Sequence, residues 1–235
     1  MTATDAPKLS GQGATDYERY LKVPELLSLQ KPAESLAHHD ELLFQVEHQT
    51  AELWFKLVIF EMDEAIRHMS EDRPLEAATL LERATRAIRV TAEQVLILST
   101  MAPRDYHTIR LALGRGSGAE SPGFRGILTN APKLWAPFKD LLGKRGVTLF
   151  DVYRDHRSHY DVFLLAEALT NFDMYFQLWR QNHVTFIKRV IGRDVRSLQG
   201  YSVHDLEKVV QMQLFPDLWT VRNELTTFTG TSRPL

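Results

Sequence analysis

Two stretches of this chain, residues 40–69 and 160–191, contain neither glycine nor proline and carry apolar side chains at helical spacing. No other feature restricts the fold as much. Strands are rarely so long, whereas at about 1.5 Å per residue the first stretch alone makes a helix about 45 Å long. Its middle, LWFKLVIFEM, is apolar almost all round, so it is expected to be buried on most sides. Asp40 is the expected N-cap of the first helix, and Gly192 the stop of the second. Pro74 opens a further long helix through ATLLERATRAIRVTAEQVLILSTM, whose apolar positions recur every three and four residues. Shorter helical pieces are read in TDYERYLKVPELLSLQ (a turn, then a second start after Pro24), RDYHTIRLAL, VHDLEKVVQMQL and PDLWTVRNEL. The Gly-rich segment 114–126 reads as a loop. Pro132 and Pro137 interrupt the next stretch, which is expected to be a connector with about one helical turn. No run of alternating strands and no internal repeat is visible. The expected fold is all-α, a bundle of long antiparallel helices packed side by side. A mobile tail over residues 1–15 precedes a single helical domain over 16–235.

Composition excludes several functions. A formal charge of −2, with 28 basic against 30 acidic side chains, offers no broad basic surface for nucleic acid. There is no cysteine, hence no disulfide framework, zinc knuckle, thiolate haem ligand or CxxCH attachment site. No apolar run reaches 18 residues and the N-terminus MTATDAPKLSGQGATD is polar, so a cytoplasmic protein with no membrane segment is expected.

Two histidines interrupt the apolar stripes. His48 shares a helical face with Phe44, Ala51, Phe55 and Ile59; His183 shares one with Phe176, Trp179, Phe186, Ile187 and Val190. Taken alone, each reads as a hydrogen-bonded core residue. Two imidazoles on separate buried helices suggest instead a cofactor held between them. Neither has a glutamate three residues before it, which argues against a di-iron site. A flat, apolar cofactor with one imidazole ligand fits better.

The words HDELLFQVEHQTAELWFK, YERYLKVPELLSLQ, FQLWRQNHVTFIKRVIG and QLFPDLWTVRNEL together resemble the tryptophan 2,3-dioxygenase family, in order, from about Tyr17 to Leu225. The resemblance implies a helical fold enclosing a non-covalent haem b, with dioxygen as co-substrate and L-tryptophan as the aromatic amino acid attacked. It implies His183 in LWRQNH as the proximal haem ligand, His48 in HQT as the distal histidine facing the indole N–H, and Phe44 as a pocket wall. Tyr106 and Arg110 in DYHTIR match the pair that holds the amino acid, a role that a guanidinium suits by pairing bidentately with a carboxylate. Tyr17, Tyr20 and Leu21 match a segment that reaches into a neighbouring subunit's active site, which implies a homotetramer, a dimer of dimers.

Departures from the family pattern bear on the reaction. Where the family has SGFQS this chain has SGAES, so Ser117 is kept while Ala119 and Glu120 are expected to alter the pocket wall in shape and charge. Ser197 stands where a threonine contacts the substrate's ammonium and carboxylate. Leu198 and Gln199 replace glycines there, so the loop must take another path. The connector between Arg125 and Val147 is also shortened. Oxygen insertion at the indole C2–C3 bond of L-tryptophan or a modified tryptophan then has two outcomes, ring opening to N-formylkynurenine or a monooxygenase product such as an oxindole or hydroxylated product. Two further readings of the same residues are a haem-dependent L-tyrosine hydroxylase and a haem sensor without turnover.

Overall fold

Proline and glycine set most of the helix boundaries, though not always as breakers. The computed structural model describes residues 7–195, 200 and 203–230, and these form eleven α-helices joined by short 3-10 turns, with no strand among them. They are α1 (Asp16–Leu21), α2 (Val23–Leu27), α3 (Glu41–Ser70), α4 (Pro74–Gln94), α5 (Pro103–Ala112), α6 (Pro122–Asn130), α7 (Trp135–Arg145), α8 (Leu149–Arg154), α9 (Tyr160–Val190), α10 (Val203–Val210) and α11 (Pro216–Phe228). The all-α expectation holds. The tail ahead of α1 folds back on it from Leu9 onward: Leu9 N donates to Asp16 Oδ1 (2.7 Å) and Arg19 Nε donates to Gly13 O (3.0 Å).

α4 packs along both α3 and α9, which meet each other far less along their backbones. Gln94 reaches Glu47 O (2.8 Å) while Arg83 pairs with Glu61 (3.0 Å), so α4 runs antiparallel to α3. Against α9 it runs parallel: Arg89 lies over Tyr175, and Asn182 donates to Ala92 O (2.9 Å). An all-antiparallel arrangement is therefore not what forms; the long excursion through α5–α8 lets the chain return in the same sense as α4. The core between them is apolar, with Val58, Met62, Leu81, Ile88, Leu165, Leu169 and Phe172 fully buried.

Several expectations are corrected. Asp40 precedes α3 but has near-helical dihedrals (φ −73°, ψ −4°) and its side chain makes no cap. The α-helix opened by Pro74 ends at Gln94 and tightens into a 3-10 turn, Val95–Thr100. Segment 114–126 is not a loop throughout: it holds a 3-10 turn, Gly118–Glu120, and the start of α6. The reason is close packing. A Cβ on Gly123 would lie 2.6 Å from Phe55 Cβ, and one on Gly126 would lie 2.5 Å from Ile59 Cδ1, so these glycines let α6 press against α3. Pro132 sits in a 3-10 turn, Ala131–Leu134, and Pro137 in the first turn of α7, where the missing N–H has no intrahelical partner to lose. α8 was not expected from the sequence, although Thr148 and Asp151 form a reciprocal capping box at its start.

The C-terminal pieces hang on one buried carboxylate. Asp173 is fully buried in α9 and accepts from Leu214 N (3.0 Å), Phe215 N (3.3 Å), Trp219 Nε1 (2.9 Å) and Gln177. This explains the FPDLW word locally: Pro216 starts α11 while the two amides before it and the indole after it converge on one acceptor. Asp173→Ala strands two buried backbone donors and the half-buried Trp219 indole N–H and is expected to cost about 3–5 kcal/mol, roughly a 10 °C fall in Tm. An unchanged urea midpoint would contradict this account of the junction.

Candidate active site

Where α3 and α9 diverge, a cavity of about 460 Å³ opens between the first half of α3, α5, the 116–121 segment and the last third of α9. Such a volume is ordinary for a small-molecule site. The cavity is lined by Phe44, His48, Tyr106, Arg110, Ser117 and His183, so residues scattered over most of the sequence share one wall. Because α3 and α9 run in opposite senses, an early α3 position faces a late α9 position. One step deeper, Phe55 of α3 meets Trp179 of α9 edge-on at 5.3 Å.

The α9 side is an aromatic ladder. His183 stacks on Trp179 (centroids 5.3 Å, 8° between planes), and Trp179 stacks on Phe176 (6.0 Å, 5°). One residue before the imidazole, Asn182 fixes α9 to the end of α4 through Ala92 O. Burial pushes the His183 imidazole down to about 4, with the charge of His48 acting in the same direction. It is neutral across the ordinary pH range, and among the described residues neither ring nitrogen has a hydrogen-bond partner. Gly118 faces it: a Cβ there would come 3.5 Å from Nε2, so the missing side chain keeps that edge of the ring clear.

The α3 side carries His48. Its Nδ1 lies 2.8 Å from Phe44 O and 2.9 Å from Glu47 Oε2. Burial alone would lower this imidazole's pKa, but the Glu47 carboxylate and the Phe44 carbonyl overcome that and hold it above the usual value. The Phe44 ring lies over it at 4.0 Å. Tyr106 closes the same corner, 6.3 Å from Phe44 and edge-on to Phe186 at 6.1 Å. Burial raises the Tyr106 phenol, and Arg110, one turn further along α5, pulls in the other direction.

The segment over the cavity is built from its own polar side chains. Glu120 accepts from Ser117 N (2.9 Å) and Ser117 Oγ accepts from Ala119 N (3.4 Å), a capping box that explains a glutamate at that place. Glu120 does line the cavity, with one carboxylate oxygen committed to the turn. Glu52, one turn after His48, accepts from Ser121 Oγ and from Gly123 N (2.9 Å), pinning this segment to α3.

Not every expected residue is here. Tyr17 and Tyr20 are 70% and 77% exposed, Leu21 is exposed too, and none of them lines this cavity within the chain. Ser197 lies outside the described residues. Glu47 and Glu52 were missed in the sequence, where a carboxylate on a long helix reads as solvated surface; HQTAE placed Glu52 one turn from His48, the only signal available.

The donor set suits a haem better than a bare metal ion. One neutral imidazole with an uncommitted nitrogen faces a largely apolar cavity, flanked by a glycine and backed by stacked rings, while the lining carboxylates Glu52 and Glu120 are engaged with the 117–123 segment.

Comparison with known proteins identifies the family. The family model described as "Tryptophan 2,3-dioxygenase" matches residues 2–131 and 140–225, and the gap falls between Arg125 and Val147. A tryptophan 2,3-dioxygenase of Bradyrhizobium sp. (strain BTAi1) is 30% identical over 95% of this chain and 97% of its own length. That of Myxococcus xanthus (strain DK1622) is 30% identical over 91% of each. That of Saccharopolyspora erythraea is 29% identical over 89% of this chain and 92% of its own length.

Proposed function

This chain belongs to the tryptophan 2,3-dioxygenase family, and from that premise we propose that it is a haem-dependent oxidoreductase that opens the indole ring of L-tryptophan to N-formylkynurenine. The observation that carries the reading is the convergence of His48, Tyr106, Arg110 and His183 on one cavity. His183 would hold haem b through its free ring nitrogen. When bound, haem supplies the centre at which dioxygen is activated for attack on the C2–C3 bond.

The chain's own residues supply position. The Arg110 guanidinium pairs with the amino-acid carboxylate, and the Tyr106 hydroxyl adds a hydrogen bond from the same helix face. Ser117 offers a third polar contact at the cavity wall. Phe44 packs on the indole, and the Phe44–Tyr106–Phe186 corner keeps water away from the ring. With Nδ1 spent on Phe44 O, His48 has Nε2 left to accept the indole N–H. Holding both ends of the substrate fixes C2–C3 within attack distance.

Soret-band titration of the haem-loaded protein with L-tryptophan and L-tyrosine, followed by oxygen uptake, tests the substrate. L-tryptophan should perturb the band and drive uptake. A response to L-tyrosine alone would favour hydroxylation, and no uptake with either would leave a sensor.

The N-terminal segment fits a role outside its own subunit. α1 and α2 bury no residue and point Tyr17, Tyr20 and Leu21 outward. In our reading they complete a neighbour's cavity in a homotetramer, and the enzyme is cytoplasmic; no helix among the described residues is long and apolar enough to cross a membrane. Deleting residues before Leu21 should lower turnover at least tenfold or break the assembly, as read by size-exclusion chromatography and steady-state kinetics. An unaffected monomeric enzyme would refute the crossing.

A further inference from the structure

Glu47 is an odd residue to find beside the cavity. It precedes His48 on α3, yet its side chain does not point to water: it is 6% exposed, one of the few buried carboxylates among the described residues. Its Oε2 stands 2.9 Å from His48 Nδ1. A buried carboxylate is costly unless a hydrogen-bond donor faces it, and the imidazole of the next residue is that donor. The same Nδ1 lies 2.8 Å from Phe44 O. A carbonyl oxygen can only accept, so the hydrogen must sit on Nδ1, and the second acceptor holds it there. The helix around this pair is fixed from α4: Gln94 Nε2 donates to Glu47 O (2.8 Å) and also to Thr50 Oγ1.

We propose that Glu47 is a positioning residue for the reaction: its buried carboxylate locks His48 as the Nδ1–H tautomer, so that Nε2 meets the substrate as a hydrogen-bond acceptor. Glu47 also favours the protonated ring, so the lock acts, and the test is run, at a pH above that of His48 titration; the neutral imidazole there has one donor and one acceptor nitrogen, and whatever the first binds decides what the second can do. Without the carboxylate, the Phe44 carbonyl alone must choose the tautomer, and an Nε2–H form would point a hydrogen at the hydrogen of the indole nitrogen. A backbone carbonyl and a carboxylate acting on one nitrogen make that error far less frequent. The inference rests on the assignment of His48 as partner of the indole N–H.

The test uses the haem-loaded protein and two ligands, L-tryptophan and 1-methyl-L-tryptophan, which lacks the N–H. Affinities are read from the Soret band, without turnover. The wild type should bind L-tryptophan at least about tenfold more tightly than the methylated ligand. Glu47→Gln keeps the shape but removes the charge and lets an amide N–H face Nδ1. It should weaken L-tryptophan about five- to tenfold and leave 1-methyl-L-tryptophan within twofold. Equal loss for both ligands means that Glu47 only supports the fold and overturns the proposal, as does an unchanged preference. A wild type that does not distinguish the two ligands overturns the His48 assignment together with it. Should Glu47→Gln fail to load haem, nitrogen-resolved NMR of labelled histidine in the wild-type holoprotein decides instead: His48 in the Nδ1–H form supports the lock, and the Nε2–H form sinks it.

Discussion

His183→Ala is expected to abolish stoichiometric haem binding while leaving the helical content intact. The two halves of that outcome have separate causes. Alanine is the best helix former, so α9 gains rather than loses local propensity, and its 31 residues are anchored elsewhere through Asp173, Arg180 and Asn182. The stacked pair with Trp179 that is lost is a matter of about 1 kcal/mol. Haem, by contrast, would lose the nitrogen proposed to hold it, and among the described residues the other imidazole lining the cavity is His48, whose Nδ1 faces Phe44 O and Glu47. Hemin titration monitored in the Soret region, with far-UV circular dichroism on the same samples, reads both halves. A variant that retains wild-type haem affinity would show that His183 is not the ligand.

Arg110→Leu is expected to weaken L-tryptophan binding by roughly 30- to 150-fold while changing the affinity for free indole less than threefold. Charge-assisted hydrogen bonds contribute about 1.5–3 kcal/mol, and a bidentate pair in a cavity shielded from water lies toward the upper end. Indole has no carboxylate and meets only the apolar wall of Phe44, Tyr106 and Phe186 and the His48 acceptor, none of which the substitution removes. Leucine fills part of the guanidinium's volume without replacing its charge, so the comparison isolates the clamp from packing. Parallel loss for both ligands would mean that Arg110 shapes the cavity rather than recognising the amino acid.

The scaffold was legible wherever the sequence avoids ambiguity. Segments 40–69 and 160–191 could only be helices, and α3 and α9 end within one residue of those limits. Glycine and proline misled in the middle of the chain, because one letter serves two purposes. Gly123 and Gly126 are there to let two helices touch, and Pro132 and Pro137 open helical turns. A single sequence does not reveal what a glycine faces. The same limit governs the site. His48 and His183 stood out as polar residues on apolar stripes, and the family words supplied Tyr106 and Arg110, which the fold brings to the same cavity. Glu47 and Glu52 stayed invisible because burial in the one case and a hydrogen bond to a distant segment in the other, not identity, distinguish them from the solvated carboxylates on the same helix. The change to Glu120 reads differently once its bond to Ser117 N is seen: the substitution serves a turn at the cavity wall.

Mass spectrometry of the product made from L-tryptophan under isotopically labelled dioxygen tests the assignment most directly. A ring-opened product carrying two labelled oxygen atoms is the expected result. A product with one labelled atom and an intact ring, or no product from the haem-loaded protein, would contradict it.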